Sequence, residues 1–470
     1  MAEDAENKEI KEAADRLKNY GWKNITDSDR ETIMEYAEEY MEFLDMAKTE
    51  REAVEVTRDL AVSCGFRDID TVERLQPGDK VFGINREKSV YLAVIGREPL
   101  TEGFQAVGAH IDAPRLDLKQ NPLYEDSGLA LLKTHYYGGI KKYQWTTIPL
   151  ALHGVVVLTD GTTVRVNIGE DPEDPVFLVT DLLPHLSAKQ NVRKVADGVP
   201  AEKLNLMAGS IPLADADSEN VKKNILAILK EKYGMEEEDF RSAEIEAVPA
   251  MKARSLGLDS SMVAAYGQDD RVCAFPALTA LLRLEDAPRT ALCILTDKEE
   301  IGSVGNTGME SRNFELFLIK LLEKSGITSP YALQKMLSAS RALSADVTAA
   351  YDPTYPEVME KNNAAYMGKG ISIKKYTGAR GKSGASDANA EYVAYVRGIF
   401  EKEGVAYQSS ELGKVDEGGG GTIAYILANR GMDVVDCGVP VHSMHSPYES
   451  ASKYDIYAAF RAYKAFLGSM

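Results

Sequence analysis

The stretch TALCILTDKEEIGS, Thr290–Ser303, decides how the rest of the chain is read. Its apolar run ALCIL has the texture of a strand, and the run ends on two adjacent glutamates, Glu299 and Glu300. Neighbouring residues on a strand point to opposite faces, so two side-by-side carboxylates at its end do not normally share one task. Strands and helices alternate around this stretch from about Met262 onward. RVCAFPALTALLRLED and NFELFLIKLLEKSG are patterned as helices, TALCILTD and ALSADV as strands, and AEYVAYVRGIFEKEG, TIAYILANRG, DVVDCG and KYDIYAAFRAYKAFLG continue the rhythm. That alternation predicts an α/β sheet with helices on both faces.

Toward the N-terminus, residues 29–62 repeat apolar positions at helical spacing with acidic residues on the other face, and predict one long amphipathic helix. The opening segment MAEDAENKEIKEAADRLKNYG is acidic and helical in pattern, without the basic start and apolar stretch of a secretion signal. VYLAVIG and FQAVGAHID read as paired or neighbouring strands. After Lys119 the texture changes. GVVVLTDGTTVRVNIG holds an Asp-Gly turn between Val-rich runs, a hairpin signal, and a long polar stretch follows. Residues 119–252 are therefore expected to form a smaller, β-rich inserted domain, leaving 1–118 and 253–470 to build the larger one. A chain of 470 residues exceeds what one core usually supports, which agrees with two domains.

Composition narrows the partners. Seventy-three acidic residues against 54 basic ones give a net charge of -19, which disfavours nucleic acid and anionic membranes. The longest nearly uncharged apolar segment, Ile148–Thr159, is too short to span a bilayer. The four cysteines are scattered, without a Cys-x-x-Cys pair, and read as reduced residues of a cytoplasmic protein.

Five strand ends carry the groups that do chemistry. His110 and Asp112 stand at i and i+2 and share a face, so the carboxylate can orient the imidazole. Asp269, in Gln268-Asp269-Asp270-Arg271, comes just before a helix; aspartates there also cap a helix N-terminus. Glu299 and Glu300 form the third group, Asp346 in Ser344-Ala345-Asp346 the fourth, and His445 in Met444-His445-Ser446 the fifth. Mixed imidazole and carboxylate donors suit zinc, manganese or cobalt, and an aspartate shared by two ions makes a dinuclear site.

These motifs, in this order and across nearly the whole chain, resemble the aspartyl aminopeptidase family of dinuclear zinc exopeptidases. The resemblance implies a zinc-exopeptidase-like α/β catalytic domain, with a mixed sheet flanked by helices. It implies two divalent ions, zinc with cobalt or manganese as alternatives. Asp269 would bridge them, with His110 and Asp346 on one ion and Glu300 and His445 on the other. Glu299 falls at the family's general-base position and Asp112 at the position that orients His110, which gives the adjacent glutamates separate tasks.

The resemblance further implies peptide substrates and a homo-oligomer, a tetrahedral dodecamer, with His185 on a loop reaching a neighbouring subunit's site. Against the acidic background, the basic segment Lys369–Lys382 offers Lys374, Lys375 and Arg380 to recognise an acidic N-terminal side chain; a solvated basic loop is the plain alternative. Gly420, in the run Gly418–Gly421, either offers backbone N–H groups to a substrate or serves a flexible turn. The residues leave two other readings open: a related dinuclear deacylase or carboxypeptidase, and an assembly protein with an inactive site.

Overall fold

The computed structural model describes residues 21–214 and 218–470; the acidic segment expected to be helical at residues 1–20 lies outside them. The chain divides into two compact units. One takes in the chain up to Asp112, Ala253–Met444 and Glu449–Met470; the other is Ala113–Lys252 with His445–Tyr448.

In the first unit the long helix expected over residues 29–62 is two helices, α1 (Asp27–Met46) and α2 (Glu50–Ser63). The break is a capping box. The Thr49 hydroxyl accepts the Glu52 N–H at 3.3 Å, and the Glu52 carboxylate takes the Thr49 N–H at 3.1 Å, so α1 cannot run on through Thr49.

The central sheet contains β1 (Arg67–Asp68), β2 (Lys80–Asn85), β3 (Ser89–Val94), β4 (Phe104–His110), β5 (Thr290–Thr296), β6 (Arg341–Ser344), β7 (Ile371–Lys374), β8 (Tyr407–Ser409) and β9 (Asp433–Gly438). Their order is β1-β2-β3-β5-β4-β6-β9-β7-β8. VYLAVIG and FQAVGAHID, which supply β3 and β4, are thus separated by β5 rather than paired. β5 runs antiparallel to β3 and parallel to β4, placing Thr296 opposite His110.

Alternation along the strands explains why both faces are covered. On β4, Val107 and Ala109 join one apolar cluster while Phe104 and Ala106 join the other; on β5, Cys293 and Leu295 face the first and Leu292 and Ile294 the second. Helices α1, α2, α3 (Gln268–Leu282) and α6 (Lys453–Leu467) cover the first face, through Tyr36, Phe43, Phe275 and Phe466 among others. Helix α4 (Asn313–Lys324) covers the second with Phe314, Phe317 and Leu318. Helix α5 (Ala390–Lys402) adds Val396 and Phe400 to the first. Strands so enclosed bury their polar groups except at their ends, and there the chemistry collects.

The second unit is a six-stranded antiparallel sheet, in the order Thr163–Ile168, Leu150–Val157, Ala243–Pro249, Arg115–Asp126, Leu129–Tyr137, Leu206–Gly209. The first two form the hairpin read from its Asp-Gly turn, where Gly161 has φ 88° and Asp160 accepts the Thr162 N–H at 2.8 Å. The expected cut at residue 119 falls inside Arg115–Asp126. That strand alternates only weakly between apolar and polar residues, so its start is hard to see from the sequence.

Candidate metal centre and active site

The ends of β4, β5 and β6 and the start of α3 bring four of the sequence-predicted groups together. Ligand atoms of His110, Asp269 and Asp346 all lie within 4.8 Å of one another, and all three residues are buried. Carboxylate oxygens of Asp269 and Glu300 lie equally close to each other. His110 presents Nε2 to Asp269 Oδ1 at 3.2 Å. Its Nδ1 faces the Asp112 carbonyl at 3.0 Å and Asp112 Oδ1 at 3.2 Å. The imidazole is thus fixed from behind, with Nε2 turned into the cluster.

Asp112 does a second job. Its two carboxylate oxygens accept the N–H groups of Glu299 and Glu300 at 3.1 and 3.2 Å. The glutamates sit on a single 3₁₀ turn, Glu299–Ile301, entered through Lys298 in the left-handed region at φ 65°. Side chains of consecutive residues on such a turn diverge. Glu299 Oε2 comes within 3.9 Å of His110 Nε2, whereas the Glu300 carboxylate approaches Asp269.

At the start of α3, Gly267 (φ 70°) lets the chain turn, and Asp269 and Asp270 keep non-helical backbone before the regular helix. The Asp269–Asp270 peptide is cis. Glu449 was not found from the sequence: buried in the segment after His445, it accepts the Asp269 N–H at 3.1 Å through Oε2. A single glutamate in SPYES carries no spacing signal that could have revealed it.

The electrostatics describe a site short of positive charge. Burial opposes charging of His110, yet hydrogen bonds to Asp112 and Asp269 outweigh it and push the imidazole well above its ordinary value. Burial, then the charge of Glu299, push Asp346 well above the usual carboxylate range. Asp270 is pushed up by burial and by Asp346. Carboxyls crowded out of water with one imidazole fit a divalent cation, which supplies the missing charge, and the nitrogen-plus-oxygen donor set suits zinc.

Other segments of the chain carry the remaining candidates. His445, at φ 65°, belongs with the second unit, where its Nδ1 meets the Gly139 carbonyl at 2.8 Å. His185 is exposed on the second unit's short turn Pro184–Leu186. Lys374 is buried, its ammonium donating to the carbonyls of Asp346 and Val347 at 3.1 and 2.7 Å. Lys375 and Lys382 both pair with Asp387, at 3.0 and 3.1 Å. Among the described residues no carboxylate pairs with Arg380, which is exposed at φ 50°. Gly420 lies in a two-residue ladder opposite Gly378, and a Cβ on neighbouring Gly419 would stand 2.7 Å from the Gly378 carbonyl. Close backbone packing thus accounts for Gly418 and Gly419, whereas a Cβ on Gly420 would meet only the Leu412 side chain, at 3.5 Å.

Comparison with known proteins adds the family. Residues 43–467 match the family model for the aminopeptidase I zinc metalloproteases, M18. The chain belongs to the M18 aminopeptidase family. It is 52% identical to a probable M18 family aminopeptidase 1 of Clostridium acetobutylicum, over 97% of this chain and 99% of that one. The counterpart from Thermotoga maritima is 46% identical, over 93% and 96% of the two chains. A crystal structure of an M18 aminopeptidase from Thermotoga maritima superposes with a TM-score of 0.93 at 44% identity, covering 96% of this chain and 99% of that one. The structure of aminopeptidase I from Clostridium acetobutylicum gives 0.90 at 51% identity, with the same coverage. The M18 chain is therefore an aminopeptidase of a zinc metalloprotease family, and its α/β architecture is the one its relatives show. Among the described residues no helix is long and apolar enough to cross a membrane.

Proposed function

We propose that this M18 aminopeptidase holds two divalent ions, zinc with cobalt or manganese able to replace it. Asp269 is shared, His110 and Asp346 complete one site, and Glu300 and His445 complete the other. What supports the reading is the convergence of His110, Asp269 and Asp346 beside a glutamate, Glu299, whose backbone is tied to Asp112. Bound metal supplies Lewis acidity, polarising the scissile carbonyl and making water easier to deprotonate. Glu299 takes the proton from the attacking water and delivers it to the departing amine, so one water is consumed and a free amino acid and a shortened peptide leave. Asp112 keeps Glu299 at the right distance and keeps His110 in the tautomer that offers Nε2.

The proposal extends to substrates with an acidic N-terminal residue. Arg380 carries that preference, since Lys374 and Lys375 already have partners in the fold. Arg380 is exposed, with no carboxylate partner among the described residues, so its guanidinium can offer an acidic side chain a charge-assisted pair that an apolar side chain cannot make. We place the enzyme in the cytoplasm, where its four free cysteines stay reduced. It works as a homo-oligomer, with a tetrahedral dodecamer as the form expected. Leu186, Val192, Val195 and Ile211 of the second unit are 68 to 85% exposed, and His185 precedes Leu186 on the same turn, which suits burial against further copies. The S. cerevisiae mApe1 dodecamer, 20% identical, is a guide to fold alone.

The decisive experiment counts metal in purified protein and follows a panel of aminoacyl substrates before and after prolonged chelation. Activity should vanish with the metal and return with zinc, cobalt or manganese, the sheet remaining folded on its own core. Full activity in metal-free protein removes the mechanism, and amino acid release from the C-terminal end instead would point to a carboxypeptidase. Light scattering on the same sample should report an oligomer; a monomer at micromolar concentration sinks the assembly.

A further inference from the structure

We infer that Lys374 is a positioning residue for Asp346: its buried ammonium clamps the main chain that carries this carboxylate and so sets its direction toward His110 and Asp269. The inference rests on the metal reading above and assigns Lys374 a task other than contact with substrate.

The placement follows from register. Gly108 on β4, Ser344 on β6, Asp436 on β9 and Lys374 on β7 are successive Cα partners across the sheet, forming one row. Residues aligned in a row share a face. His110 and Asp346 stand two residues further along from Gly108 and Ser344, so the row lies directly behind the ligand pair. Ser344, Asp436 and Lys374 are each at most 3% exposed, which makes this a buried polar layer.

Within it the Lys374 ammonium donates to the Asp346 carbonyl at 3.1 Å and the Val347 carbonyl at 2.7 Å. The same Asp346 carbonyl is confined on another side by Gly438, where a Cβ would approach it to 1.9 Å. A hydrogen-bond clamp and a steric stop therefore act on one peptide group, adjacent to the carboxylate that a metal needs. Asp436, buried beside the lysine, is pushed up by desolvation; the lysine's charge and the hydroxyls of Thr422, Ser344 and Thr377 draw it back. A buried ammonium is costly unless its hydrogens and charge are answered. Here two carbonyls answer the hydrogens and Asp436 answers the charge, which leaves little to meet a substrate carboxylate.

Outer groups that hold a metal ligand typically change metal affinity by about 10–100-fold when removed. Lys374→Met keeps the length and removes the clamp. In dialysis of the purified protein against buffered free zinc, this variant should release one ion at a concentration about 10–100-fold higher than the parent enzyme does. The visible spectrum of its cobalt-loaded form should change, and kcat should fall by the same factor on aspartyl and leucyl substrates. Lys374→Arg, which keeps charge and donors, should recover part of the affinity. If Lys374→Met does not fold, Asp436→Asn reads the same clamp through its counter-charge and should weaken zinc in the same direction. Parent-like zinc affinity and cobalt spectrum in Lys374→Met overturn the inference. So does a loss confined to the KM of aspartyl substrates, which makes Lys374 a recognition residue. Should the unaltered enzyme bind no metal at all, it is the metal reading that fails, and the zinc titration of the parent shows this separately.

Discussion

Two charge-rich regions of the first unit behave in opposite ways. Around the ends of β4 and β6, His110, Asp112, Asp269 and Asp346 are buried and converge, and burial, then the charge of Glu299, push Asp346 well above the usual carboxylate range. In Lys375–Asp387 the charges are exposed and answer each other: Lys375 and Lys382 hold Asp387 below its ordinary value. Density of charge in the sequence is similar, but consequences differ because water screens the second set and not the first. A buried cluster with surplus negative charge calls for a cation from outside, whereas Lys375, Lys382 and Asp387 pair with one another in water, which screens their charges. Function is therefore expected to fail sharply on changes at the first region and only slightly at the second.

The sharpest test inside the first region separates the adjacent glutamates. Glu299→Gln keeps the shape and removes the proton acceptor, so both ions should stay while turnover falls by about a hundredfold or more, roughly 2.7 kcal/mol of transition-state stabilisation. Glu300→Gln exchanges an anionic donor for a weak neutral one, so metal should be lost and excess ion should restore part of the rate. Bound metal and turnover, measured on both variants, decide the assignment. Metal loss in the Glu299 variant with retention in the Glu300 variant reverses it, and unchanged turnover in both reduces the pair to surface charge.

How far the sequence reached is visible at particular residues. The i, i+2 spacing of His110 and Asp112 is local, and the structure shows the expected contact at 3.2 Å. The alternation of strands and helices after Met262 likewise depends on short-range pattern, and it yields the α/β class. What local pattern cannot show is which strand lies next to which. β5 enters between β3 and β4 although 179 residues, 111–289, separate it from β4 in the chain, because pairing is decided by long-range burial. The break between α1 and α2 was legible in principle, since Thr49-Glu50-Arg51-Glu52 is a capping box; the strong helical period on both sides masked it. Lys374 misled for another reason. It sits in a basic run, but it is also the last residue of the buried strand Ile371–Lys374, and its alignment with Asp436 turns it inward. Glu449 is tied to Asp269 through a backbone N–H, a contact that no side-chain motif announces.

The exposed region offers the smallest expected effect, and that smallness is informative. Lys375 already shares Asp387 with Lys382, so Lys375→Met removes one member of a solvent-screened trio and should leave kcat and KM within about twofold on every substrate. Arg380, in the same exposed segment, has no carboxylate partner among the described residues, so its guanidinium is available to an acidic side chain. Arg380→Met should lower kcat/KM for aspartyl substrates by about tenfold, the scale of one charge-assisted hydrogen bond, while leucyl substrates change little. Both variants, assayed side by side on aspartyl and leucyl substrates, test whether pairing inside the fold separates a recognising cation from a bystander. Equal losses on the two substrates for Arg380→Met would show that the segment only shapes the site. A parent enzyme that already prefers leucyl substrates would mean that the pocket is apolar and the whole basic segment is solvated surface.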